Sequence, residues 1–283
     1  MKTLKEIYKN HSGKVSDKWN IYLDTYEEKL SSLKKSPIKL FEIGVLNGGS
    51  LEIFSKYFEN AELILGCDID KNCQKLKYTE NNIKLIVGDV NSDEISNQII
   101  KNGDFDIIID DGSHTSKDIV TSFCKYFKHL KYNGTYIVED LHASYQKEHG
   151  GGLFYPISSM NFFKKLVDII NFEHWGIKKE KNFILRTFKQ NYQINMDGVN
   201  FDEIHSIEFI NSLCFIKKKL PKENELGKRH VVGNDALVVP DEQAEPNETA
   251  TPFKSSAINK DCPSILGKPI AKTPGNLFSM CST

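Results

Sequence analysis

Short runs of apolar, β-forming residues alternate with helical stretches between residues 39 and 138. A chain that repeats strand and helix in this way predicts a parallel sheet, covered by helices on both faces and joined by right-handed crossovers. The predicted strands are 39–43, 63–67, 84–87, 105–110 and 135–138. The predicted helices are 50–58, one that begins near Lys71, 92–101 and 116–130.

The segments on either side of this core have different patterns. Apolar residues at helical spacing predict one or two helices in residues 1–36. After residue 140 we expect a helix over 158–170 and an irregular stretch over 173–200, with a lid or cap as its candidate role. Two runs separated by a very short turn, 204–209 and 213–218, predict a hairpin that adds an antiparallel strand to the sheet.

The C-terminal part of the chain differs in composition from the rest. Most of the nine prolines lie at or after Pro221, and large apolar residues become sparse there. We therefore divide the chain into an N-terminal helical segment (1–36), one α/β domain (37–220) and an extended or partly disordered tail (221–283).

Composition and charge exclude several classes of protein. The 283 residues are 39% hydrophobic and 27% charged, which is typical of a globular protein. A net charge of −1 offers no general attraction for nucleic acid. No apolar run approaches the roughly 18 residues of a membrane span, and the N-terminus has no signal-peptide core. The six cysteines include no CxxC pair, which favours a reducing cytoplasm over a disulfide framework or a zinc site.

A glycine-rich turn and a series of acidic residues follow the first three strands. The turn contains Glu42, Gly44 and Gly48, and the next two strands end at Asp68 and Asp89. Glycines let backbone approach a ligand closely, and a carboxylate can accept the hydroxyls of a ribose. The turn alone could be a plain connection or a dinucleotide site, and each acid alone could be a helix cap. The ordered series favours a nucleoside site, and the GxxxGG spacing disfavours the GxGxxG nicotinamide type.

Two polar clusters follow the fourth and fifth strands. The first runs from Asp110 and Asp111 to His114, and the second from Glu139 and Asp140 to His142. Because the carboxyl ends of parallel strands meet at one edge, we expect a metal site with a nearby base there. Helix capping or solvated strand ends are the alternatives for the acids, and structural roles are the alternatives for the imidazoles.

The glycine turn and acidic series resemble those of the class I S-adenosylmethionine-dependent methyltransferases over residues 38–218. The resemblance implies a Rossmann-like α/β fold with seven mostly parallel strands in the order 3-2-1-4-5-7-6. It also implies that Glu42, Gly44 and Gly48 match the first cofactor motif, with Asp68 at the ribose and Asp89 at the adenine. The same cofactor set is predicted to include Ser50, Val90 and Asp110, with anchoring of the loop as the alternative role of Asp110.

The two polar clusters resemble those of the Mg²⁺-dependent sugar O-methyltransferases of the macrocin and mycinamicin type. This resemblance implies that Asp111, Glu139 and Asp140 bind the metal and that His114 is the general base. His142 is the rival base, with substrate contact or a structural role as its alternatives. The glycine-containing loop from Tyr145 to Tyr155 is expected to close over the site as a lid, with a purely structural role as the alternative.

We therefore predict a cytoplasmic O-methyltransferase that uses S-adenosylmethionine and Mg²⁺ to methylate a sugar hydroxyl. The acceptor would belong to a surface polysaccharide, a nucleotide-sugar or a glycosylated natural product, with nucleic acid and membrane excluded as partners. Two alternatives keep the fold: a component like the cephalosporin hydroxylases, and a catalytically silent cofactor-binding scaffold in a biosynthetic complex. The pattern leaves open whether the chain forms a homo-oligomer.

Overall fold

Seven strands form a single sheet in the computed structural model, which describes residues 2–233. The strand order is β3-β2-β1-β4-β5-β7-β6, and only β7 runs antiparallel to its neighbours β5 and β6. This order confirms the fold class that the resemblance implied. The strands are β1 Lys39–Ile43, β2 Leu63–Asp68, β3 Ile83–Val87, β4 Phe105–Asp110, β5 Leu130–Val138, β6 Ile204–Ile210 and β7 Leu213–Lys218.

Helices cover both faces of the sheet. The helices are α1 Leu4–Lys9, α2 Asn20–Leu30, α3 Gly49–Tyr57, α4 Asp93–Ile100, α5 Ser116–Tyr126, α6 Ser159–Ile170 and α7 Arg186–Tyr192. Side chains on successive strand residues point to opposite faces, so Leu40 packs with α1–α3 while Phe41 packs with α4–α6. Within residues 2–233 the longest helix has 12 residues, and none could cross a bilayer.

Two predicted elements differ from the structure for local reasons. The helix expected near Lys71 is a 3₁₀ turn at Lys71–Lys75, where Cys73 alone is buried and no apolar stripe supports a longer helix. Strand β5 begins at Leu130, five residues before the predicted start. Its register shifts between Phe105 and Ile107 of the neighbouring strand, so that residues 131–134, which look like a turn, bulge from the strand.

A few side chains of the stretch 173–200 pack in the core, and the lid or cap role considered for this stretch stays a prediction. Leu185 and Phe188 are fully buried, and the ring of Phe188 lies 5.3 Å from that of Phe162. The short helix α7 carries this contact. The tail is described only to residue 233, so the prediction for the remainder of 221–283 falls outside the described residues.

The cysteines of the described region are buried and free, as expected for a chain without disulfides. They are Cys67, Cys73, Cys124 and Cys214. Cys262 and Cys281 lie outside the described residues.

Candidate active site

A cavity of about 730 Å³ lies at the carboxyl ends of β1 to β5. Its walls include the glycine turn after β1, the acids after β2 and β3, and both polar clusters. The remaining wall is a segment that precedes α2 and covers residues 15–19. A concave site of this size, at the edge where parallel strands end, is where ligands bind in open α/β sheets.

The glycine turn is held in place by Asp68. One carboxylate oxygen of Asp68 accepts the backbone N–H groups of Val45 and Leu46, at 2.8 and 2.9 Å. Gly44 has φ of 82°, and a Cβ there would lie 2.1 Å from the carbonyl oxygen of Asp111. The turn therefore touches the first polar cluster directly, which joins the two halves of the cavity.

The other predicted cofactor residues divide into two groups. Asp89, Val90, Asp110 and Ser50 line the cavity, whereas Glu42 and Gly48 do not. Gly48 precedes α3 as its N-cap, with φ of 80°. Burial raises the pKa of the Asp110 carboxyl to about 7. Its Oδ2 accepts a hydrogen bond of 3.3 Å from Tyr136.

Glu42 lies fully buried beneath the glycine turn. Its Oε2 accepts a 2.6 Å hydrogen bond from Ser50, while its Oε1 has no hydrogen-bond partner among the described residues. Burial raises the pKa of Glu42 to about 7, although nearby Lys18 opposes this. A buried polar atom without a hydrogen-bond partner is uncommon, and here the Lys18 ammonium lies 3.6 Å from Glu42 Oε1 and supplies the compensating charge.

Asp111, His114 and Asp140 bring their ligand atoms within 4.8 Å of one another. Nε2 of His114 lies 3.9 Å from Oδ1 of Asp111 and 3.8 Å from Oδ2 of Asp140. Atoms that each bind an ion at roughly 2.0–2.6 Å can lie up to about 5 Å apart. The three side chains therefore fit a divalent cation.

His114 and Asp140 both have left-handed backbone conformations, with φ of 56° and 51°. Such conformations cost of order 1–2 kcal/mol for a residue with a side chain and are concentrated at functional sites. Leu46, which also lines the cavity, has φ of 48°. Three of the six described non-glycine residues with positive φ thus lie in the turn and in the two polar clusters.

Glu139 lines the same cavity but is not part of this group of three. Tyr26 donates a 2.6 Å hydrogen bond to it, and Lys18 Nζ lies 2.9 Å away. The side chain is 1% exposed. Its role as a direct metal ligand stays a prediction.

The second histidine of the clusters, His142, is oriented by the hairpin between β6 and β7. Its Nδ1 lies 2.5 Å from Oγ of Ser212, whose hydroxyl also contacts the Tyr22 hydroxyl at 2.8 Å. Trp19 packs edge-on against the imidazole, with the ring centroids 6.4 Å apart. His142 does not line the cavity, so it lies behind Asp140 rather than beside His114.

Sequence reasoning missed the roles of Lys18, Tyr26 and Ser212. Lys18 lies in a loop without periodicity, and Tyr26 occupies an apolar helix position that a packing role explains equally well. Ser212 is a turn residue 70 positions from His142. No local pattern could have indicated these contacts. The predicted lid loop does not line the cavity, although the ring of His149 lies 6.4 Å from that of His114.

Known proteins confirm the resemblance that the motifs indicated. No family model matches the chain. The chain is 36% identical over 165 residues to 8-demethyl-8-alpha-L-rhamnosyl tetracenomycin-C 2'-O-methyltransferase of Streptomyces olivaceus. The matched residues cover 54% of this chain and 42% of that protein. It is 31% identical over 168 residues to mycinamicin VI 2''-O-methyltransferase of Micromonospora griseorubida, covering 56% of this chain and 41% of the relative. The chain thus spans less than half the length of these curated relatives.

Among solved structures, the fold matches the MycE methyltransferase of the mycinamycin biosynthetic pathway, solved in complex with Mg, SAH and mycinamycin VI. The TM-score is 0.63 at 24% identity, over 78% of this chain and 55% of that chain. A second crystal structure of the same enzyme, in complex with Mg and SAH, gives 0.65 at 23% identity, over 80% and 57%. At this level of identity the match concerns the fold.

Proposed function

We propose that this chain is an O-methyltransferase that uses S-adenosylmethionine and a divalent cation, Mg²⁺, to methylate a sugar hydroxyl. The observation that supports this most is the continuity of the cavity. The nucleoside side, with Asp68 and Asp89, opens directly onto the cluster of Asp111, His114 and Asp140. A donor and an acceptor held in one cavity can react as neighbours, which supplies much of the acceleration in transfer reactions.

The cofactor side would be formed by the glycine turn and the acids after β2 and β3. Asp68 already fixes the turn through two backbone hydrogen bonds, and its exposed edge would meet the ribose. Asp89, which also lines the cavity, would meet the adenine. When bound, the sulfonium supplies the methyl group, and the protein's task is to hold the acceptor oxygen in line with it.

On the acceptor side we propose Asp111 and Asp140 as the metal ligands. When bound, a divalent cation lowers the pKa of a hydroxyl that it contacts. Mg²⁺ prefers oxygen ligands, which leaves the imidazole of His114 available as a base. His114 Nε2 would take the hydroxyl proton as the acceptor oxygen bonds to the methyl carbon.

The proposed acceptor follows from the chemistry of this wall and from the names of the relatives. Two carboxylates and an imidazole suit a compact ligand rich in hydroxyl groups. The names of two relatives specify a rhamnosyl and an olivosyl compound. We therefore propose a sugar, carried by a natural product, a nucleotide or a polysaccharide, as the acceptor, and a cytoplasmic site of action.

The test is a methyl-transfer assay with S-adenosylmethionine, Mg²⁺ and a panel of glycosides and nucleotide-sugars, in which S-adenosylhomocysteine is measured. We expect turnover on at least one sugar, abolished by EDTA and by Asp111→Ala, while cofactor affinity stays near that of the wild type. Asp197→Ala, at an acid 73% exposed and remote from the cavity, is the matched control and should retain activity. A rate that survives both EDTA and Asp111→Ala would refute the metal-dependent mechanism.

The role of His114 has a separate test. His114→Ala should lower kcat by roughly 10²–10⁴ if the imidazole is the base. An unchanged kcat would exclude His114 as the base and leave His142, or activation of the hydroxyl by the metal alone, as the candidates.

A further inference from the structure

A strap formed by residues 11–19 crosses the beginning of α3 and carries Lys18 into the acidic side of the cavity. The strap is tied down by a 3.1 Å hydrogen bond from the Gly49 N–H to the Val15 carbonyl. It is also held by Lys14, whose backbone N–H and ammonium both bind Glu52. The Lys18 side chain is only 5% exposed, although it carries a charge.

The Lys18 ammonium faces three carboxylates. Its Nζ lies 2.5 Å from Oδ2 of Asp111, 2.9 Å from Glu139 and 3.6 Å from the otherwise unpartnered Oε1 of Glu42. Within residues 2–233 it is the only lysine that forms an ion pair with any of the three. Burial would lower the pKa of Lys18, but the three carboxylates together raise it well above its ordinary value. Three carboxylates within 3.6 Å of Nζ favour the charged ammonium.

The strap and α2 together bind one oxygen of Asp111 and one of Asp140 and leave the other oxygen of each free. Lys18 binds Oδ2 of Asp111, and Oδ1 of Asp111 faces His114. Asp140 Oδ1 accepts hydrogen bonds from Trp19 at 3.1 Å and Tyr22 at 2.6 Å, and its Oδ2 faces His114. These contacts orient Asp111 and Asp140, and the free oxygen of each carboxylate faces His114 Nε2.

Without a cation, this cluster would hold several negative charges in a buried place. Breaking a buried ion pair by removing one partner is strongly destabilising, because the remaining charge is neither solvated nor paired. A divalent cation held by Asp111 and Asp140 would offset that charge only while it is bound. Lys18 offsets it at all times.

We propose that Lys18 is a built-in counter-cation, which keeps the carboxylate cluster paired and the metal site formed when no metal is bound. This inference rests on the proposed function, since it concerns the proposed metal site. It makes the metal exchangeable, because the fold does not depend on the ion. Without Lys18, only a bound metal would balance the charge of the carboxylates, so the fold would depend on the metal.

The test compares thermal unfolding of the wild type and of Lys18→Met in EDTA and in millimolar Mg²⁺. We expect the wild-type midpoint to change little between the two conditions. Lys18→Met should unfold about 6–20 °C lower in EDTA, the shift that a broken buried ion pair implies for a domain of this size. Mg²⁺ should recover a large part of that loss, and calorimetry should show tighter Mg²⁺ binding to Lys18→Met than to the wild type.

Lys34→Met is the matched control. Lys34 is also buried, at 8% side-chain exposure, and is paired with Glu27 at 2.7 Å, but it is not part of the cavity wall. Its loss should lower the midpoint equally in EDTA and in Mg²⁺. A second variant, Lys18→Met with Glu139→Gln, removes one negative charge along with the positive one. Its unfolding midpoint should be independent of Mg²⁺, as that of the wild type is. This outcome can be measured even if the single variant does not fold.

The outcomes separate this inference from the proposed function. If the wild type binds Mg²⁺ but Lys18→Met unfolds at the wild-type midpoint in EDTA, the inference is wrong and the proposed metal site stands. The same holds if Mg²⁺ raises the midpoints of wild type and variant equally, or if the wild type itself unfolds many degrees lower in EDTA. If neither protein binds Mg²⁺ in calorimetry, the proposed metal site fails and the inference falls with it.

Discussion

Gly49→Ala should destabilise the protein, although alanine is the better helix former. Gly49 is the first residue of α3, and a Cβ there would lie 2.2 Å from the carbonyl oxygen of Lys14 and 2.5 Å from that of Val15. A Cβ needs about 3.0 Å, so the strap would have to retreat by about 0.8 Å. Both oxygens belong to the backbone and cannot rotate away.

The magnitude follows from three contributions. Overpacking of this kind costs typically about 1–3 kcal/mol. The hydrogen bond from Gly49 to Val15, now 3.1 Å long, would be stretched, which costs about 0.5–1.5 kcal/mol more. The higher helix propensity of alanine offsets at most about 1 kcal/mol of this loss. We therefore expect the free energy of unfolding to fall by about 1–3 kcal/mol.

Urea unfolding of the variant measures this change, with Gly198→Ala as the control. The nearest atom to a Cβ at Gly198 is the mobile end of Lys128, at 3.4 Å, so alanine should be neutral or stabilise by up to about 1 kcal/mol. If Gly49→Ala is as stable as the wild type, the strap does not lie against α3 as described. The account of how Lys18 is positioned would then be wrong.

Three further substitutions test individual contacts. Asp68→Asn should raise the Kd for S-adenosylmethionine at least about 10-fold, because it removes a carboxylate that holds the glycine turn; unchanged affinity by calorimetry would contradict this. Tyr26→Phe should lower the free energy of unfolding by about 1.5–3 kcal/mol, because buried Glu139 loses a 2.6 Å hydrogen bond; a change below about 0.5 kcal/mol in urea unfolding would count against that contact. Ser212→Ala should raise KM for the acceptor with kcat changed less than about 3-fold, because His142 loses its orientation but transfers no proton; a 10²-fold fall in kcat would instead make His142 the base.

Continuous apolar runs that end in acidic residues could be located accurately from sequence. The strand β4, Phe105–Asp110, has the predicted bounds, because five buried or half-buried residues precede an acid and no turn residue interrupts them. The start of β5 was missed because Asn133 and Gly134 favour a turn, and the structure absorbs them as a bulge. Local patterns do not distinguish a turn between strands from a bulge within one.

The site was predictable in its acids but not in the groups that position them. Asp111 and Asp140 follow strands, so their common edge could be inferred from the alternation of strands and helices alone. The contact of Lys18 with Glu139 spans 121 residues, and that of Tyr26 with Glu139 spans 113. Such contacts arise from tertiary packing and leave no periodic trace in either segment.

The hydroxyl contact between Tyr22 and Ser212 has a consequence for how the protein is made. The two residues are 190 positions apart, and together they hold the Asp140–His142 region from opposite ends of the domain. Contacts of such sequence separation form late, because a long loop must close before they contribute. During synthesis the cavity walls from the first five strands can assemble while Asp140 still lacks its hairpin support. A growing chain can therefore form the glycine-turn side of the cavity before the Asp140 side is complete, and a truncation before β7 should leave a sheet without an ordered second cluster.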